Sequence, residues 1–341
     1  MREIIPAVDE WLAAGEEVAL ATVVSTWGSA PRGVGAKLAI RSDMTMVGSV
    51  SGGCVENAVI EAALETLQNG QPQLLDFGVA DDDAWEVGLT CGGKISVFVE
   101  ALDPIWWQMA RSIVLADGTL TTLTALSGPV MGDKALRLTD GGVRHKPGAE
   151  TTAALFQQPA LAPGGSSQRL QLEGHDVLVD VIQPRPRLII VGGVHVAIPL
   201  VALAETLGFR VALVDPRAVF ANRERFPNVE IIEQRYPQQS LPAIGLDANT
   251  YVAVLTHDPK IDDGALQAAL PSEVPYVGVL SSRRTHAKRL ERLRAAGLTE
   301  DQLACIRTPI GLEIGARQPE EIALAIMAEI IATRSGAIQD S

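Results

Sequence analysis

The chain has 341 residues, 47% hydrophobic and 20% charged, a globular composition too long for one core and so expected to form two domains. Its net charge of -13 argues against nucleic acid or anionic membrane as a general partner, since both need a concentrated basic surface. Three cysteines are too few for a disulfide framework, no apolar run is long enough to span a bilayer, and acidic residues stand where a signal peptide needs apolar ones; a cytoplasmic protein is expected.

In chain order, Ile4, Ile5, Val8, Trp11 and Leu12 recur at helical spacing over residues 2–14, and Gly15 ends the pattern. Strands are expected over 18–24 and 36–41, around a Gly and Pro loop at 27–35, with a short third strand after the Ser42-Asp43 turn. A helix over about 54–68 follows, buried through Val55, Val59, Ala62, Ala63 and Leu67, and then the strands LLDFGV and KISVFVE. Residues 104–181 carry weaker signals: TLTTLTAL and HDVLVDVI read as strands, and 157–168 as an exposed loop. The prolines of QPRPR (183–187) mark the expected boundary, giving a mixed α/β domain over 1–182 and a second domain over 186–341.

The second domain opens with a short apolar strand (188–191), the pair Gly192 and Gly193, a helix of about sixteen residues and a strand ending in Asp215. This is the start of a Rossmann-like parallel-sheet fold, continued by the β-branched runs EII, YVAVLTHD and YVGVLSS. A closing amphipathic helix has proline at its start and glycine beyond its end. SSRRTHAKRLERLR (281–294) reads as the solvated face of a helix before it reads as an anion site.

Candidate cofactor-binding residues here are Gly192, Gly193, His195, Asp215 and Arg217. In the dinucleotide fingerprint the second glycine lets the backbone approach a pyrophosphate, yet Val194 stands at that position, and a shifted register puts His195 there. Asp215 suits a ribose hydroxyl and Arg217 a phosphate, so NAD(P) binding competes evenly with a Rossmann-like domain that has lost it. His257, Asp258, Asp262 and Asp263 near a strand end suit a metal or polar ligand, or equally a capped turn opening a helix.

Two cysteines are flanked by glycines. Cys54 follows Gly52 and Gly53 and precedes a helix, whose amides favour a thiolate; Cys91 lies between Thr90 and Gly92-Gly93, just before a strand. Cys305 has no such context and reads as a small buried hydrophobe. Zinc is disfavoured, because there is no C-x-x-C and no histidine in the first 144 residues. Soft thiolates can still hold a heavier metal or carry a persulfide, and the amides of GSAPRG and VSGGC with Arg32 can receive an anion.

The strings TWGSAPRGVGAKLAI, GSVSGGCVE, GLTCGGKISVFVE, VLTHDPKIDD, GVLSSRRT and RTPIGLEIGARQPEEIALAIMAEI resemble the XdhC/CoxI family of molybdenum cofactor maturation proteins, over residues 11 to about 334. The resemblance implies an accessory protein rather than a turnover enzyme. Such a protein binds molybdopterin-type cofactor, protects it while a cysteine desulfurase installs sulfur, and delivers it to xanthine dehydrogenase or a related molybdenum hydroxylase. On that footing Cys54 and Cys91 face one cleft, where they contact molybdenum or relay sulfur, while Arg32 and the Gly52 and Gly53 amides address the cofactor's phosphate. The chain departs from the family pattern at Val194, Ser281 and Glu313, where glycine, glycine and aspartate are usual. Rival readings are an NAD(P)-dependent oxidoreductase using the second domain, with His195 or His257 as acid or base, and a scaffold holding no ligand tightly. The sequence leaves the oligomeric state open, a homodimer included.

Overall fold

The structure, a computed structural model, describes residues 1–78, 93–138, 141–158 and 165–338. The chain divides into two units, Met1–Pro184 and Arg185–Ser341. In the first unit the elements are α1 (Ile5–Ala13), β1 (Val18–Trp27), β2 (Lys37–Arg41), β3 (Met46–Gly48), α2 (Glu56–Asn69), β4 (Gln73–Phe77), β5 (Lys94–Ala101), α3 (Pro104–Leu115), β6 (Leu120–Ala125), β7 (Lys134–Arg137), β8 (Val143–His145), α4 (Glu150–Ala154), β9 (Gln168–Leu172) and β10 (His175–Ile182).

These strands form two antiparallel sheets, ordered β3-β2-β1-β5-β4 and β8-β7-β6-β10-β9. The two-residue period of β1 decides what each face meets. Ala19, Ala21 and Val23 pack with Val55, Val59 and Ala63 beside α2, whereas Val18 and Leu20 pack with Trp11 of α1 and Trp106, Trp107 and Ala110 of α3. Two buried ion pairs join the sheets: Lys37 Nζ meets Asp180 Oδ2 at 2.7 Å, and Lys134 meets Glu100.

Two local differences from the sequence reading have simple causes. Residues 104–115, weak in the sequence, form α3, capped by Asp103, whose side chain accepts from the Ile105 and Trp106 amides, and opened by Pro104. Helix α2 begins at Glu56 rather than at 54, because Ser51–Val55 are held in a turn described below.

The second unit comprises β11 (Arg187–Val191), α5 (Ala197–Thr206), β12 (Arg210–Val214), β13 (Ile231–Glu233), α6 (Pro237–Ile244), β14 (Thr250–Val254), α7 (Pro259–Ala269), β15 (Tyr276–Val279), α8 (Arg283–Ala295), α9 (Glu300–Ala304), β16 (Ile306–Arg307) and α10 (Pro319–Ser335). Its sheet is parallel, ordered β13-β12-β11-β14-β15-β16. The winding reverses between β11 and β14, as in a Rossmann fold. Leu188, Ile190 and Leu213 pack on one face with residues of α5 and α10; Ile189, Val191, Val252 and Val254 pack on the other with α7. Helix α5 is shorter than the sixteen residues expected, since Gly192–Val196 form the turn leading into it.

Candidate functional site

Gly52 and Gly53 adopt φ of 77° and 116°, a left-handed run that glycine tolerates and that turns the chain sharply before α2. Inside this turn sits the carboxylate of Glu56, buried at 6% exposure. Its Oε1 accepts from Ser49 Oγ at 2.8 Å, Val50 N at 3.3 Å and Ser51 N at 2.9 Å. Its Oε2 accepts from Gly53 N at 2.9 Å and from the Ser51 hydroxyl. Burial pushes the carboxyl pKa up, but the bonds from Ser51 and Ser49 outweigh it and hold the group near about 2. Ser51 Oγ in turn accepts from the amides of Cys54 and Val55, both at 2.9 Å.

These contacts revise the anion-binding expectation for the two glycines. The Gly53 amide is taken by Glu56 and the Gly52 amide by Ser49 Oγ, at 2.9 Å each, so the loop's own groups use the donors foreseen for a phosphate. Glu56 was missed from sequence. Glu56 is the first residue of α2, three positions after Gly53, where a carboxylate suits the positive amino end of a helix, and that was the available signal.

The loop carrying Arg32 lies against this turn. Arg32 Nε donates to Ser49 O at 3.2 Å and its Nη2 meets Glu3 Oε1 at 2.5 Å; a Cβ on Gly52 would stand 3.5 Å from Pro31 Cβ. From the other side, a Cβ on Gly93 would stand 2.9 Å from Ser29 O and 3.0 Å from Trp27 O. Three glycine-containing motifs thus meet at one end of the first sheet. Cys54 is half-buried there, packed against the core under α2. Cys91 lies outside the described residues. Cys305, expected to be buried, is exposed.

In the second unit the expected cofactor residues cluster, but they contact one another. Asp215 is fully buried; Arg217 donates to it through N and Nε to Oδ1 at 3.0 and 2.9 Å and through Nη2 to Oδ2 at 2.8 Å, and Gly193 N reaches Oδ2 at 3.0 Å. Both carboxylate oxygens foreseen for a ribose are therefore engaged. A Cβ on Gly192 would stand 2.4 Å from Thr256 Cγ2, and one on Gly193 2.2 Å from Phe220 O, so the glycines admit neighbouring loops closely. Arg225 Nη1 closes the same turn on Gly193 O at 2.5 Å. His195 is exposed at its tip.

The later polar residues act locally. Asp258 caps α7 through the Lys260 amide, and buried Asp262 takes the Thr256 hydroxyl and Arg289 Nη2, the latter at 2.9 Å. Asp263 is paired with Arg292, His257 is exposed, and Glu313 accepts from Gly315 N at 3.3 Å. Among the described residues no group of three or more His, Cys, Asp or Glu side chains is placed to hold a metal ion.

Comparison with known proteins places both units. The family described as "XdhC and CoxI family" matches residues 11–78, and "XdhC Rossmann domain" matches residues 188–330. The chain is 29% identical to a protein of Bacillus subtilis named as a probable xanthine dehydrogenase subunit, over 96% of each chain. It is also 29% identical to the "Molybdenum cofactor insertion chaperone PaoD" of Escherichia coli, over 100% of this chain and 91% of that one. A crystal structure titled a xanthine dehydrogenase from Bacillus halodurans superimposes with a TM-score of 0.78 at 25% identity, over 99% of this chain and 98% of that one. With its amino-terminal motifs and its Rossmann domain each matched, the chain belongs to the XdhC and CoxI family.

Proposed function

We propose that this protein is a maturation chaperone that binds molybdopterin-type cofactor as cargo in its first unit, supports its sulfuration and hands it to a xanthine dehydrogenase-like molybdenum hydroxylase. The observation that carries the reading is the thiol-bearing turn at Cys54, fixed by Glu56 and flanked by the Arg32 loop and Gly93. Similarity over the whole chain to a protein named as a cofactor insertion chaperone supports it.

The cargo is a pterin bearing a phosphate and a dithiolene-bound molybdenum. Cys54 offers a soft sulfur to the metal from a backbone held in place before the cargo arrives, which lowers the ordering cost of binding. Arg32 offers its guanidinium to the phosphate, which would exchange with the carboxylate of Glu3. The Gly52 and Gly53 amides keep the turn in shape. Cys91 is assigned the second thiol on the strength of the family resemblance. Partners on this reading are the hydroxylase and a cysteine desulfurase in the cytoplasm, with a homodimer as the assembly. No described helix is long and apolar enough to cross a membrane.

The test is the molybdenum and oxidised-pterin content of protein purified from a host that makes the cofactor, comparing wild type with Cys54→Ala, Cys91→Ala and Cys305→Ala. Pterin should accompany the wild type and Cys305→Ala and be lost from Cys54→Ala. Equal pterin in all four would remove Cys54 from the site, and none in any would remove the chaperone reading.

A further inference from the structure

Among the described residues, the buried side-chain nitrogens and oxygens without a hydrogen-bond partner in the protein are His286 Nδ1, Arg289 Nε, Arg289 Nη1 and Thr308 Oγ1. His286 and Arg289 lie on α8 and Thr308 directly follows β16, at the carboxyl edge of the Rossmann sheet. Val254 and Val279 lie in the core layer under α7 and α8, and alternation carries Thr256 and Ser281, each two residues further on, to the same face. For Thr256 the placement is visible directly in its bond to Asp262 of α7. Helix α8 spaces His286, Arg289, Leu290 and Leu293 along one stripe, and its two leucines pack in the same layer. Arg289 and His286 are close enough that the guanidinium, after burial itself, pushes the imidazole pKa down.

Arg289 is used unlike its neighbour. Arg292, a turn further on and partly exposed, meets both oxygens of Asp263, at 2.5 and 2.9 Å. Arg289, at 1% exposure, meets Asp262 through Nη2 alone, and Asp262 gives its other oxygen to Thr256. A buried guanidinium whose Nε and Nη1 leave three N–H groups unspent is costly unless something accepts from them. Neutral imidazole donates from Nδ1 in one tautomer, the Thr308 hydroxyl donates, and the amino end of the Ser282-capped helix α8 favours negative charge at the same edge. The set is rich in donors and calls for an acceptor.

We propose that this edge is a receptor for an oxyanion, a phosphate or carboxylate group, held by Arg289, His286 and Thr308. It adjoins the Gly192–Gly193 turn through Thr256 but uses none of that turn's groups, since the Gly192 amide is bonded to Val214 O and the Gly193 amide to Asp215, and it does not depend on the chaperone reading. The way in passes the half-buried His286 ring at the first turn of α8.

The test is calorimetric titration of the full chain with inorganic phosphate and, separately, acetate, with thermal unfolding recorded alongside. Saturable binding with a raised Tm is expected for at least one of them, and which one binds tells phosphate from carboxylate. His286→Ala and the near-isosteric Thr308→Val should each weaken it about tenfold, the size of one charge-assisted hydrogen bond. Arg294→Ala, an exposed cation on the same helix paired with Glu300, should leave it unchanged. Absence of saturable binding and of any Tm rise with both anions would overturn the proposal, leaving water as the partner of these atoms. Binding undiminished in both His286→Ala and Thr308→Val would overturn it equally.

Discussion

Glu56 and Cys54 are joined through a single hydroxyl: Ser51 Oγ donates to the carboxylate while accepting from the Cys54 amide at 2.9 Å. The thiol's backbone is thereby fixed by a side chain two positions further on. Replacing Glu56 with Gln puts an amide donor among donors and strands at least one of them. A loss of about 2 kcal/mol is expected in urea unfolding with an unchanged m-value. A loss below about 0.5 kcal/mol would mean that the turn stands without the carboxylate.

The same carboxylate gives the turn a pH dependence. Its pKa in the fold, near about 2, lies below the ordinary 4.5, so its contribution is complete above the ordinary value and drains away as pH falls towards the folded one. The stability gap between wild type and Glu56→Gln should therefore be wide at neutral pH and narrow by about pH 3. A gap that stays constant across that window would show that the charge contributes nothing.

Lys37 and Asp180 form a pair 2.7 Å apart with side chains only 7% and 6% exposed. Burial alone raises the Asp180 pKa, and the Lys37 ammonium outweighs it and brings the net shift below the ordinary value. Lys37→Met strands a carboxylate between the two sheets and should cost about 3–5 kcal/mol, whereas Lys37→Met with Asp180→Leu should recover most of the loss. A double variant as unstable as the single one would show that the pair is not the source of the cost.

Asp215 cannot serve a ribose while Arg217 and Gly193 N occupy both its oxygens. Titration with NADH or NADPH, followed by nucleotide fluorescence, should show no saturable binding at micromolar concentrations. Tight binding that Asp215→Asn abolishes would revive the oxidoreductase reading.

The Rossmann half was legible because its signals are local. RLIIV, RVALV and YVAV are short apolar runs bounded by turns, and each became a parallel strand. The closing helix likewise runs from Pro319 to Ser335, with Gly336 at φ 71° beyond it. The contacts that give the glycines their work were not legible, because they reach across the fold: Phe220 and Thr256 press on the Gly192–Gly193 turn from loops 27 and 64 residues away in sequence, from Gly193 and Gly192 respectively. Around Cys54 the motif order was visible, but five donors closing on one carboxylate depend on backbone angles that composition does not encode.

Glycine at 192 and 193 has two explanations that stability separates. If the pair served only to let a pyrophosphate approach, alanine there would weaken ligand binding and leave unfolding unchanged. The fold dictates otherwise: Gly192 holds φ of 108° with Thr256 Cγ2 only 2.4 Å from where a Cβ would be, and Gly193 faces the rigid Phe220 carbonyl at 2.2 Å. Gly192→Ala and Gly193→Ala should each destabilise the protein by about 2 kcal/mol or more in urea unfolding, with no ligand present. Gly208→Ala is the comparison, since its φ of 80° is also positive but nothing lies within 4 Å of a Cβ there. Its cost should be about 1 kcal/mol, from backbone strain alone. If all three variants lost the same amount, crowding by Thr256 and Phe220 would not be what keeps the pair glycine.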